Sequence, residues 1–247
     1  MGARILIFGL CLSFIVSCDS SKDKTCESNS DSSPQSSGQE TKPQGQVMVP
    51  SKPEPPNISE KMPPGEVSLF DGESLGLWKI TDFGGQGKVY AKYGSLMLEM
   101  GNDMTGVTWS GPVLRKNYEI NLDAMRVDGN DFFCGLTFPV ETNCVSFVVG
   151  GWGGYVCGIS CVDYYDASEN ETSKAGEFET KKWYHIRVRV TGEKIACWID
   201  DEQYVDLDTQ GKKLDVRLEM EDSKPLGIAT WRTAAAIKNI YLTKLPD

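Results

Sequence analysis

The stretch WYHIRVRVTGEKIACWID, residues 183–200, decides the fold. Tyr184, Ile186, Val188 and Val190 alternate with polar neighbours, and so do Ile195, Cys197 and Ile199. Alternation with a period of two marks strands with one buried face. If the chain folds back through Thr191-Gly192-Glu193-Lys194, both apolar sets share a face only when paired residue numbers sum to an odd value. The tight solution pairs Val190 with Ile195, Val188 with Cys197 and Ile186 with Ile199. Gly192-Glu193 is then a two-residue turn, with glycine in the first position as a type II′ turn prefers. The opposite face carries His185 across from Asp200 and Arg187 across from Trp198. This polar face with a stacked aromatic is a candidate site.

Working outward, similar short runs recur from Val67 onward. They include SLMLEM (95–100), NYEINLDAMRV (117–127), DFFCGLTF (131–138), CVSFVV (144–149), YVCGISCV (155–162), LGIATW (226–231) and IKNIYLT (237–243). Gly, Asn, Asp and Pro separate them, and no window sustains a helical period. Many short strands with frequent turn signals predict an all-β, antiparallel sandwich or barrel. No internal repeat is evident, which argues against a propeller or solenoid.

The segment GGWGGYVCGISCVD (150–163) lacks the Lys-Ser/Thr ending of a phosphate loop, and no helix follows it. Its glycines read as the turn between two strands. Cys157 and Cys161 fall on the same side of a strand, about 13 Å apart, too far to bridge each other or share one metal ion without a bend. One strand register sets Cys144 opposite Cys161 and permits a disulfide. A register shifted by one residue is equally apolar, and both remain open. Cys134 and Cys197 read as small core residues.

The first eighteen residues have a different character. Arg4 precedes the apolar run ILIFGLCLSFIV (5–16), which is short of the roughly 20 residues a spanning helix needs. The run ends in Ile15-Val16-Ser17-Cys18, which resembles a bacterial lipobox. That resemblance implies a signal peptide over residues 1–17 and acylation of Cys18. An ordinary secretory signal and a short membrane anchor are the alternatives. Asp19 after the cysteine resembles an inner-membrane retention signal. Residues 18–64 are rich in Ser, Pro, Lys, Glu and Gln and nearly free of aromatics. Such a segment buries too little apolar surface to offset chain entropy, so a disordered tether is expected. The expected folded domain is residues 65–247. The expected location is the cell envelope, with the membrane reached through Cys18 and the domain facing the periplasm or exterior.

The chain of 247 residues carries a formal net charge of −10. It has no long Lys/Arg run, which argues against a nucleic-acid partner. A single histidine excludes zinc motifs that need two.

The segments SLFDGESLGLW (68–78), YGSLMLEM (93–100), NYEINLDAMRV, WYHIRVRVTGEKIACWIDDEQYVD (183–206) and LGIATWRTAAAIKNIYL (226–242) together resemble the 3-keto-disaccharide hydrolase domain family. The resemblance covers roughly residues 66 to 245. It implies a concanavalin A-like jelly roll, a small carbohydrate as partner, and a hydrolase of 3-keto-disaccharides or related glycosides. Folds of this kind also serve as binding modules, so a non-catalytic carbohydrate-binding module and a cell-envelope interaction domain are the alternatives.

Candidate site residues follow from the chemistry such a ligand needs. Glycoside hydrolysis generally takes two carboxylates on either side of the scissile bond. Glu119 and Asp123 share a face of one strand about 13 Å apart, so each needs a partner from another strand. His185 with Asp200 forms an alternative acid–base pair. Asp131 and Glu141 fall in turns and read as solvated. Trp152, Trp198 and Trp231 are candidate platforms for sugar rings, with Arg187 and Arg232 as donors to hydroxyl or keto oxygens. The residues single out no cofactor apart from a candidate Ca²⁺ site. The acidic loop CVDYYDASENETS (161–173) offers oxygen ligands that suit Ca²⁺, although a solvated loop explains it more simply.

Overall fold

A computed structural model describes residues 65–246. The expected signal peptide, Cys18 and the tether lie outside these residues.

Fifteen strands follow one another in the described residues. They are β1 (Glu66–Ser68), β2 (Trp78–Ile80), β3 (Val89–Lys92), β4 (Ser95–Leu98) and β5 (Met104–Trp109), then β6 (Tyr118–Gly129), β7 (Cys134–Val140), β8 (Asn143–Gly151), β9 (Val156–Ser160) and β10 (Lys174–Ala175). The last five are β11 (Trp183–Val190), β12 (Lys194–Ile199), β13 (Glu202–Asp208), β14 (Gly227–Trp231) and β15 (Thr233–Lys244). A short 3-10 helix spans Leu218–Ser223. One sheet runs β13-β12-β11-β6-β15-β4-β3, with β1 also on β15; the other runs β10-β9-β8-β7-β14-β5-β2. All strand pairs are antiparallel, which makes a jelly-roll sandwich.

The core lies between the sheets. The first sheet contributes Ile120, Leu122 and Ala124 from β6, Ile186 and Val188 from β11, and Cys197 from β12. The second contributes Leu136, Phe138, Phe147, Ile159 and Ile228. Each fully buried aliphatic or Phe side chain of this set stabilises by about 1.5–3 kcal/mol. The 183–199 hairpin takes the register that its alternation predicts: Val190 pairs with Ile195, Val188 with Cys197 and Ile186 with Ile199.

The turn of that hairpin differs from expectation. Neither Gly192 nor Glu193 adopts positive φ, so the turn is not type II′. Thr191 supplies another closure: its hydroxyl accepts the Lys194 N–H at 3.1 Å and the Glu193 N–H at 3.4 Å. Side-chain turns of this kind need no left-handed residue.

The cysteine pairing is also settled. β8 pairs with β9 through Ser146–Ser160 and Val149–Cys157, one residue out of step from the register that would set Cys144 opposite Cys161. All five cysteines of the domain, Cys134, Cys144, Cys157, Cys161 and Cys197, are free thiols. The register was ambiguous because β8 is buried on both faces from Cys144 to Gly151. Its inner face meets the main core. Its outer side carries Cys144, which joins a second apolar cluster with Met104, Val216, Met220 and Ala229.

Candidate functional site

The sandwich divides the sequence-predicted residues between its two outer faces. Glu119, Asp123, His185, Arg187 and Trp198 occupy polar positions of β6, β11 and β12 on the outside of the eight-stranded sheet. Trp231 ends β14 of the other sheet, and Trp152 follows β8 in the turn to β9. The two groups do not form one site.

On the eight-stranded face, His185 and Asp200 lie opposite each other as predicted, yet their side chains do not pair. The Asp200 carboxylate accepts the His185 backbone N–H at 2.8 Å. The His185 ring instead reaches Asp123, with Nδ1 2.8 Å from Oδ1. Asp123 Oδ2 accepts a second bond from Asn239 Nδ2 at 2.7 Å. The pairing follows the ladder, because β11 lies beside β6 and His185 is directly across from Asp123. Two positions further along the same face, Arg189 Nε donates to Glu119 at 2.8 Å. Arg187 stacks on Trp198 with its guanidinium carbon 4.0 Å from the ring centroid. Glu119 and Asp123 are thus each committed to a cation or donor on a neighbouring strand.

The other face is built differently. The sheet here carries small outward-facing residues, Gly106, Gly135 and Ala229, on adjacent strands. Small residues let the 3-10 segment and Phe132 approach the sheet: a Cβ at Gly135 would lie 3.0 Å from Phe132 Cε2 and 3.3 Å from Met220 Cε. The result is a cleft of about 240 Å³ lined by Met104, Asp131, Phe132, Val148, Trp152, Ser160, Arg217, Glu219, Met220 and Trp231.

Three polar side chains of this cleft are held in place. Asp131 Oδ1 accepts the Phe132 N–H at 2.7 Å and Oδ2 accepts the Gly153 N–H at 3.0 Å. A carboxylate has about four acceptor positions, so both oxygens keep capacity for a ligand. Arg217 donates through Nη1 to Asp166 at 2.6 Å and through Nε and Nη2 to Glu219 at 3.3 and 3.2 Å. That leaves donors of its five unused. The hydrogen bond to Arg217 holds the Glu219 carboxyl below its ordinary range, and the same bond raises the guanidinium. Trp152 stands at φ 51°, a left-handed conformation uncommon for a side chain of this size. Arg232, next to Trp231, is tied to Asp103 by Nε at 2.9 Å and Nη2 at 2.6 Å.

The acidic loop spends its charges on cations. Lys212 pairs with Asp163 at 3.2 Å and Glu171 at 2.6 Å, and Asp166 takes Arg217. Among the described residues no three His, Cys, Asp or Glu side chains cluster as metal ligands would.

Arg217, Glu219, Phe132, Met104 and Met220 were not found from the sequence. Nothing in DVRLEMEDSK (215–224) has a period that points to a site. Arg126 was also missed, although its signal was present. Alternation along Tyr118, Ile120, Leu122 and Ala124 sends Arg126 inward, and it is buried.

The fold matches solved carbohydrate-active proteins at low identity. The transglycosylase Crh5, solved in complex with NAG, aligns with a TM-score of 0.52 and 11% identity over 76% of this chain and 90% of its own. A protein from Parabacteroides distasonis assigned as a glycosyl hydrolase aligns at 0.48 and 14% over 74% and 94%. The carbohydrate-binding module CBM66 from Bacillus subtilis aligns at 0.43 and 13% over 68% and 96%. At 11% identity the likeness to Crh5 shows the fold alone. No curated protein matches the sequence. Residues 65–243 match the family model described as the 3-keto-alpha-glucoside-1,2-lyase-like domain, and the chain belongs to that carbohydrate-active family, the 3-keto-disaccharide hydrolase family that its sequence resembles.

Proposed function

We propose that the domain takes one ring of a small saccharide into the cleft on the seven-stranded sheet and cleaves 3-keto-glycosides there. One observation carries this reading: Asp131, the Arg217–Glu219 pair, Trp152 and Trp231 converge on a single cleft. Its volume lies below the roughly 300–1,000 Å³ of sites for drug-sized ligands, which suits one ring rather than a polymer. The tryptophans supply apolar faces and the charged groups supply orientation.

The chemistry is that of a carbon acid. In a 3-keto-glycoside the hydrogen on C2 is acidified by the neighbouring ketone. Asp131, oriented by two backbone N–H groups, is the base that takes this proton. Charge then develops on the keto oxygen, where the free N–H donors of Arg217 stabilise it. The electron pair of the broken C–H bond forms the C1–C2 double bond. The glycosidic oxygen leaves with the C1–O pair and is protonated from solvent. Water then adds to the double bond, its hydroxyl to C1 while Asp131 returns its proton to C2, which completes a net hydrolysis. Glu219 acts by holding Arg217.

The test uses residues 65–247, a panel of 3-keto-disaccharides and their unoxidised parents, and NMR detection of products. Cleavage confined to keto-sugars, lost in Asp131→Asn while binding persists, supports the proposal. Line broadening of sugar resonances without turnover would establish a binding module instead. No effect on any sugar would favour an envelope-interaction domain.

The same proposal places the domain at the cell envelope, tethered by residues 18–64 to an acylated Cys18. The lipobox-like ending at Cys18 supports this. Labelling with a clickable palmitate analogue in the native host, abolished by Cys18→Ser, is its test.

A further inference from the structure

Arg126 is a buried cation whose donors go to main-chain oxygens. It is 5% exposed, at an inward position of β6 near the end of the sandwich. Nη1 donates to the Phe178 carbonyl at 2.9 Å. Nη2 faces the carbonyls of Asp131 at 3.2 Å, Gly154 at 3.3 Å and Gly150 at 3.5 Å. Nε is buried without a partner. Burial lowers the guanidinium's proton affinity. Burying an arginine in this way is costly.

The carbonyls it gathers explain its place. Gly150 and Gly154 bracket Trp152, and the third carbonyl belongs to Asp131. The Asp131 carboxylate in turn accepts the Gly153 N–H. Gly150, Gly153 and Gly154 all stand at positive φ, and a Cβ at Gly154 would lie 2.7 Å from the Asn130 carbonyl. The Gly150–Gly154 segment between β8 and β9 and the Asp131 backbone between β6 and β7 are therefore clamped together from beneath by one side chain. A planar group with five donors can collect such a set; an ammonium, with three donors at one point, cannot span it equally.

We propose that Arg126 is a positioning residue: from inside the sandwich it fixes Asp131 beside the Trp152 segment at the cleft. This rests on the cleft being the saccharide site. Arg126 touches no substrate and acts through the Asp131 and Gly150–Gly154 backbone.

The experiment compares Arg126→Met and Arg126→Lys with Val188→Ala, a core truncation in the middle of β11 that serves as a control for general destabilisation. Two readouts are taken. Amide hydrogen exchange is followed at residues 150–155 and, as reference, in β11 and β12. Binding of methyl 3-keto-α-glucoside is measured by titration calorimetry. In Arg126→Met, exchange at 150–155 should rise at least tenfold while β11 and β12 change little, and affinity should fall at least tenfold. Arg126→Lys should fall between Arg126→Met and wild type in both. Val188→Ala should lower the melting temperature without selective exchange at 150–155. Unchanged exchange at 150–155, or a rise shared equally by β11 and β12, overturns the proposal. Should Arg126→Met not fold, Arg126→Lys is read by the same criteria. If the wild type binds no sugar, the cleft reading fails, and the exchange measurement still decides whether Arg126 holds the two segments.

Discussion

The imidazole of His185 lies 2.8 Å from the carboxylate of Asp123, a residue 62 positions earlier in the chain, and not against Asp200, the residue across its own hairpin. The pair stands on the outside of the eight-stranded sheet, with the His185 side chain half exposed. The cleft belongs to the opposite sheet. His185→Ala should therefore leave saccharide binding and turnover within twofold of wild type. Asp123→Ala strands both the imidazole and Asn239 and should cost about 1 kcal/mol in urea denaturation. A tenfold loss of turnover in His185→Ala would move the reacting centre to that face.

Glu219 gives the cleft an acid limit. Its carboxyl is held below the usual value of 4.5, chiefly by the hydrogen bond from Arg217. A depressed carboxyl stabilises the folded state above its unfolded value and loses that contribution as pH falls through the folded value. Melting temperatures of wild type and Glu219→Gln should differ at pH 6 and converge as the pH drops below about 4. A gap that persists or widens in acid contradicts the assignment.

The free thiols should divide by burial. Burial pushes Cys134 and Cys157 up to about 12 and Cys144 to about 11, and holds Cys197 well above its ordinary value. Cys161 is raised as well but is only partly buried. The thiolate is the reactive form. Iodoacetamide at pH 8 should modify Cys161 first and leave the other four until the domain is unfolded, as read by peptide mass spectrometry. Rapid modification of Cys134 in the native protein would contradict the packing.

Two outward-facing glycines of the seven-stranded sheet should respond differently to a methyl group. At Gly106 a Cβ would meet the Ile228 carbonyl at 2.6 Å and Ala229 Cβ at 2.9 Å. These atoms belong to an adjacent strand and cannot yield, so Gly106→Ala should cost about 1–3 kcal/mol. At Gly135 the near atoms are the ends of Phe132 and Met220, which can turn aside into the cleft. Gly135→Ala should keep most of the stability yet weaken sugar binding. Equal stability losses in the two variants would show that the cleft wall is rigid.

Trp152→Ala and Trp231→Ala should each weaken saccharide binding by about 1 kcal/mol, roughly fivefold in Kd, with little change in fold. Trp198→Ala, whose ring is stacked under Arg187 on the other sheet, should not. Calorimetric titration of the three variants separates the two faces.

What the sequence by itself determined was set by the pleat. Side chains alternate across a strand by covalent geometry, so the register of the 183–199 hairpin, the inward set of β6 and the sandwich class could be read from local order. The opening and closing motifs likewise carried the family. What only the tertiary structure decided was strand order. Asp123 meets His185 because β6 lies beside β11, a neighbour fixed by burial over the whole sheet. Trp198 and Trp231 part because their strands join different sheets. β8, apolar on both faces, has no alternation to choose its partner, so the Cys144 register had to wait for the fold. The charged residues of the cleft come from two loops and a 3-10 turn, where no period marks them. Arg126 lies between these cases: alternation points it inward, but the carbonyls that occupy it come from the end of β8 and three loops that only folding brings together.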